Sequence, residues 1–386
     1  MKVGIGRLSA DAAVRAVVRE RLPASTFAPR PLRALLLVPL LAAIGAIAYV
    51  LVAVDLRWFV ALGLAIVLGN LYGSLMFLTH EIGHGGVVQS RRLATALMYP
   101  GCAVFLFSPH LWVIWHNRSH HGHTNRPDQD PDSFGTLGHF AEVPRWHRVG
   151  ARLYPGPGFL HAGVCILLAA FFTVQAQSVL WTKSRTLPGY DSLNRRRAVA
   201  ESLAMLAFWV TIAVATGWWG TLFVVVVPWF VANTVVLSYV ATNHMLRPLS
   251  PTTDSLRTTM GVSTFRLLDR LHMHFSHHVE HHLFPSMPTS SAPAVRRVLR
   301  DRYEGEYLAP PHGRALRLLL RTPRFYDGPD ALAEPWGGRR HDLGVVTAML
   351  RTGRRSGRNS GKEPGGRPQE ARRRVRSGAA PSRQDP

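Results

Sequence analysis

Four imidazoles, His116, His120, His121 and His123, fall within eight residues, close behind an apolar run ending Trp112-Val113-Ile114-Trp115. Two further clusters have the same character: His80-Glu81-Ile82-Gly83-His84 and His277-His278-Val279-Glu280-His281-His282. On a helix, residues three or four apart share a face. That spacing groups His80 with His84, His116 with His120 (His121 beside them), and His278 with His281 and His282. Neutral imidazole is a ligand for iron, zinc, copper or nickel. One ion takes about four to six ligands, so these residues supply two ions rather than one. Nitrogen-rich sites with open positions suit metals that activate dioxygen. Neutral ligands leave the metals' charge uncompensated, and Glu81, Glu280, Asp128, Asp130 and Asp132 are the carboxylates placed to support them.

Other histidines carry less. His110, His139, His147, His161, His312 and His341 are isolated and read as ordinary hydrogen-bonding residues. His123, His272, His274 and His277 read as supports of the ligands or as polar surface. Asn243-His244 follows a long apolar run, where His244 could add a ligand and Asn243 could support it.

The segments that must bring these clusters together are strongly apolar. Residues 34–54 and 58–79 are charge-free, with 21 and 22 residues. About 20 residues suffice to cross the hydrocarbon of a bilayer. Residues 198–216 and 221–241 form a second pair, joined by the uncharged turn Gly217-Trp218-Trp219-Gly220. Residues 93–115 are broken by Pro100, Gly101 and Pro109, which predicts an interfacial or re-entrant segment. Ligands from all three clusters must meet on one side, so an even number of crossings separates any two of them. Residues 159–181 therefore lie along the surface or dip and return. The expected fold is all-α and membrane-integral: four spans in two hairpins beneath a helical cap holding the histidines. The basic segment 1–33 and the basic loops place that cap and both termini on the cytoplasmic side.

Residues 34–330 thus form one membrane domain, and residues 331–386 a basic, Gly/Arg/Pro/Ser-rich tail expected to be disordered. The tail from Arg351 holds +8 of the formal charge of +22. Beside a membrane protein this charge suits anionic headgroups, and no nucleic-acid partner is expected. Cys102 and Cys165 sit in apolar runs, which excludes a disulfide framework or a CxxC motif. No removable signal peptide, phosphate loop or dinucleotide fingerprint is visible.

The three clusters resemble the histidine boxes of the membrane fatty acid desaturase superfamily, integral-membrane di-iron enzymes that include hydroxylases. They read HxxxH at His80 and His84, HxxxHH at His116, His120 and His121, and HxxHH at His278, His281 and His282, the last followed by Leu283-Phe284-Pro285. Thr124-Asn125 and Asp130-Pro131-Asp132 also resemble the superfamily's lipid desaturases. The resemblance covers roughly residues 34–305. It implies two iron ions, dioxygen as co-substrate and an acyl chain as substrate. No HPGG haem motif is present. Electrons are therefore expected from a separate ferredoxin or cytochrome b5-like protein with its own reductase. The reaction expected is insertion of a double bond into an acyl chain, with hydroxylation by the same site as the alternative. A membrane protein holding structural zinc is the rival from another class, but about four ligands serve such a site.

Overall fold

A computed structural model describes residues 10–352 apart from 134, 146–147 and 149–160. The expectations for residues 1–9 of the basic segment, for His147, for residues 159–160 and for the tail beyond 352 lie outside the described residues. Helices dominate. In chain order the main ones are α1 (Ala10–Arg21), α2 (Leu37–Ala53), α3 (Trp58–Gly83), α4 (Arg91–Val104) and α5 (Pro109–His123). They continue as α6 (His161–Ser178), α7 (Arg195–Gly220), α8 (Val227–His244), α9 (His278–Leu283), α10 (Ala292–Arg302), α11 (His312–Leu319) and α12 (Leu343–Arg351).

Among the described residues, three helical runs are long and apolar enough to cross a membrane: Ala24–Ala53, Trp58–Gly83 and Arg195–His244. The pair α4 and α5, bent by 102°, would make a fourth if counted as one broken span. The bend falls just before Pro109, as expected there, but Pro100 and Gly101, also expected to break the run, lie inside α4. The 50 residues from Arg195 to His244 do not run straight. At 1.5 Å per residue they would extend about 75 Å, more than twice a hydrocarbon core. Gly217, at φ +65° and ψ −171°, breaks the run. Beyond it the Thr221 hydroxyl donates to the Ala213 carbonyl at 3.0 Å, so the chain turns back on itself. The two apolar runs expected at 198–216 and 221–241 are therefore one helical stretch reversed at a glycine.

α8 then runs alongside α3 in the same direction. Gly69 meets Pro228 and Val231, Gly73 meets Ala232 and Val235, and Phe77 meets Tyr239 edge-on. A Cβ on Gly69 would fall 2.5 Å from that of Val231 and 2.7 Å from the Pro228 carbonyl. Small residues let helices in lipid approach this closely. Both helices carry histidine at their C-terminal ends, so their close packing brings His80, His84 and His244 together. α3 continues four residues past the expected exit at Thr79, and Gly85 at φ +79° terminates it. α6, in the stretch expected to lie along the surface or dip and return, packs against α8, where the Thr173 N–H and hydroxyl donate to Asn233 Oδ1 at 2.9 and 3.0 Å.

Two terminal segments depart from expectation. The first 33 residues read as a polar basic arm, yet Val14 and Val18 of α1 are buried against Leu256, Val279, Leu283, Val295 and Leu299. Buried Asp11 accepts from the Ser255 N–H and hydroxyl, both at 2.7 Å. The disordered tail was placed from 331, but residues 331–352 are ordered. Strands β1 (Phe325–Tyr326), β2 (Ala331–Ala333) and β3 (Arg340–Asp342) form an antiparallel sheet, so the fold is not purely helical. α12 follows, with Leu343, Val346 and Leu350 in the main core. The strands are too short for a period-two pattern to show, and Phe325 is covered by distant Phe140, with ring centroids 4.6 Å apart.

Candidate metal centre

The first histidine pair sits on the last turn of α3, the rigid end of a 26-residue helix. The second cluster lies on α5, whose segment Val113–His120 is wound as a π-helix. Such winding is wider than 3.6 residues per turn and recurs at functional sites. The third cluster sits on α9, a six-residue helix too short to be stable by itself. α1, α10 and the loop between α9 and α10 hold it in place.

All eight box histidines and His244 converge, and they divide into two sets. The ligand-type nitrogens of His80, His84, His116, His121 and His281 lie within 4.8 Å of one another. Those of His120, His244 and His282 form a second such group. His278 joins it, its Nε2 being 2.7 Å from that of His244 and 3.1 Å from that of His282. In the first set His80 and His116 approach through Nε2 at 3.0 Å, as do His121 and His281. With metal–nitrogen bonds of about 2.1 Å, adjacent ligands of an octahedral ion stand roughly 3.0 Å apart. The spacing is that of nitrogens sharing an ion. Further support comes from an orphaned atom: His84 Nε2, in the first set, is buried without a partner. The donor set therefore fits two metal ions. His116 and His120 do share a face, as expected, their rings stacked with centroids 5.2 Å apart, yet they fall to different sets because His116 meets His80 and His120 meets His244.

The carboxylates separate into two kinds. Asp130 Oδ1 stands 2.9 Å from His120 Nδ1, and Asp132 Oδ2 stands 3.3 Å from it. Asp132 also accepts from Trp115 Nε1 at 2.8 Å. Burial by itself would raise the Asp130 carboxyl, but the His120 ring and the N–H groups of Asn125 and Asp132 hold it below the ordinary range. These are the orienting partners a ligating imidazole needs. Asp128 makes no bond to a box histidine among the described residues. Glu81 and Glu280 do not reach the ligands' free nitrogens either. Glu81 takes both forks of Arg33, at 2.7 Å each, and the Thr289 N–H at 2.9 Å. Glu280 accepts from Arg296 Nε at 3.1 Å and Tyr307 Oη at 2.6 Å. Burial opposes ionisation of Glu280, yet the Arg296 guanidinium holds its carboxyl down to about 2. An arginine beside each glutamate claims it, so both act as braces of the boxes rather than as partners of the imidazoles.

Sequence reasoning missed those braces. Arg33, Arg296 and Tyr307 lie 48, 16 and 27 residues from their carboxylates, and no local spacing signals them. Asn125 is another: its amide donates to the carbonyls of His244 at 3.2 Å and Thr258 at 3.0 Å, tying the second cluster to the end of α8. His272, His274 and His277 stay outside both histidine sets.

An apolar cavity opens on the centre. It is lined by His80, His116, His120, His244 and His278, with Met76, Phe77, Trp112, Trp115, Phe172, Val236 and Val240 as walls. Trp112 stacks on His116 with centroids 4.7 Å apart, fixing that ring from the cavity side.

Apolar helices of spanning length and nine converging imidazoles define a helical membrane protein with a histidine-built candidate metal centre. Residues 56–313, which hold all nine histidines, match the family model for fatty acid desaturase. The chain belongs to the fatty acid desaturase family, and as such is an oxidoreductase. Comparison with curated protein sequences gives no match.

Proposed function

We propose that this protein is an oxygen-dependent acyl-chain desaturase with two irons held by the two histidine sets. The observation that supports the reading most is the position of the apolar cavity, whose walls bring saturated carbon against both sets at once. His80, His84, His116, His121 and His281 would hold one iron, and His120, His244, His278 and His282 the other. With iron bound, the centre supplies the reduction of dioxygen and the oxidising power to remove hydrogen from an unactivated methylene. The chain's own residues do the rest. Asp130 keeps the His120 proton on Nδ1, so that Nε2 faces the metal. Trp112, Trp115, Phe172 and Val240 exclude water and hold an extended chain that offers no polar handle near the reacting carbons. Adjacent carbons each lose one hydrogen and a double bond forms. Dioxygen leaves as two waters, taking two further electrons and two protons from a separate carrier and solvent.

That carrier is a ferredoxin or cytochrome b5-like protein with its reductase. The protein lies in the membrane with the histidine centre and both termini on the cytoplasmic side. Expression in a host with such redox partners, followed by lipid mass spectrometry, tests the reading. A desaturase lowers acyl mass by about 2 and a hydroxylase raises it by about 16, from the atoms exchanged. No new double bond in any lipid pool refutes the proposal, and a hydroxyl in its place assigns the alternative.

A further inference from the structure

A third group of ligand-type side chains stands on the cap, outside both histidine sets. Asp269 Oδ2 is 2.8 Å from His274 Nδ1 and 3.4 Å from His277 Nε2, and one ligand atom from each residue falls within 4.8 Å of the others. The chain is folded tightly to achieve this. Met273 and His274 both take left-handed backbone, at φ +50° and +57°, and the His274 N–H returns to the Asp269 carbonyl at 2.7 Å. The other carboxylate oxygen of Asp269 accepts from the Ser276 hydroxyl, which leaves Oδ2 directed at the two rings.

His277 is the informative member. Its side chain is 7% exposed and lies between two carboxylates, with Nε2 toward Asp269 and Nδ1 3.8 Å from Glu280 Oε1. Nδ1 is buried without a hydrogen-bond partner. A neutral imidazole carries one proton, so whichever nitrogen holds it, the other turns a lone pair toward a carboxylate. A cation between Nε2 and Oδ2 removes the conflict, since the proton then sits on Nδ1 and faces Glu280. That is the carboxylate–histidine–metal arrangement of known metal sites. Two histidines and one carboxylate with open positions suit a divalent first-row ion. Access is available, because the side chains of Asp269 and His274 are 16% and 18% exposed.

We propose that Asp269, His274 and His277 form a third metal site, for a divalent first-row cation such as zinc. His277 and His278 are adjacent, so one turn of chain then serves two sites: His278 faces the histidine centre and His277 the third ion. A bound cation would pin the start of α9 and so fix the aim of the third box.

The test is metal content per chain, measured by elemental mass spectrometry on the full-length protein in micelles after equilibration with zinc and removal of excess. Wild type is expected to carry one metal more than D269N and one more than a D269N/H274Q double variant. The difference is independent of how the two histidine sets are loaded, so it stands whether or not the desaturase reading does. Equal contents overturn the proposal. Should the variants fail to fold, anomalous scattering at the zinc edge from the wild-type protein decides. A peak bounded by Asp269 Oδ2, His274 Nδ1 and His277 Nε2 is expected, and its absence from zinc-equilibrated protein overturns the site.

Discussion

Replacing Arg296 with methionine should cost this protein more stability than any other single change remote from the histidine nitrogens. Glu280 is fully buried, and Arg296 is 8% exposed. The guanidinium donates to Glu280 at 3.1 Å, to the Val262 carbonyl at 3.1 Å and to the Ser276 carbonyl at 2.8 Å. Removing it leaves a buried carboxylate without its counter-charge, which costs about 3–5 kcal/mol. Tyr307→Phe removes one short hydrogen bond to the same carboxylate and leaves the ion pair, so about 1.5–3 kcal/mol is expected. The double change Glu280→Gln with Arg296→Met should cost less than the two singles added, because the second loss removes the charge that the first stranded. The assay is unfolding by graded denaturant in mixed micelles, followed by tryptophan fluorescence, for wild type, the three single variants and the double. Since α9 cannot hold its own shape, metal content should fall in the order of lost stability. An Arg296→Met protein within about 1 kcal/mol of wild type, or strict additivity in the cycle, would refute the clamp as the support of the third box.

Further outcomes follow from the same geometry. His244→Ala should insert normally but lose the metal held by His120, His278 and His282, with turnover falling at least about 100-fold; full metal content in that variant removes His244 from the ligand set. Asp130→Asn should lower metal affinity about 10–100-fold with little change in folding, read by competition with a chelator, and unchanged affinity denies its orienting role. Val236→Trp should block the cavity wall and shorten the acyl chains accepted, as read by product profiling; an unaltered profile places the substrate elsewhere. Deletion after Thr352 should leave turnover nearly intact. A cut at 351 also removes Arg351, which donates to the Gly305 carbonyl, and so is expected to be worse.

The spacing of the boxes and the length of the apolar runs are local properties, and they were legible in the order of residues. Three histidine clusters beside charge-free stretches pointed to a candidate metal centre among spanning helices, because imidazoles at helical spacing share a face and uncharged runs of about 20 residues suit lipid. The break at Pro109 and the reversal near Gly217 were visible for the same reason: backbone restrictions act within a few residues. Tertiary structure alone decided which histidines share a set. α3 and α8 pack closely at Gly69, which brings His244 to the others, while His116 and His120 stay stacked on one face and are divided only by the neighbours they meet, His80 and His244. It also decided that Arg33 and Arg296 claim Glu81 and Glu280, leaving Asp130 and Asp132 for the ligand. A carboxylate pairs with whichever cation folding brings nearest, and distance along the chain carries no information about that.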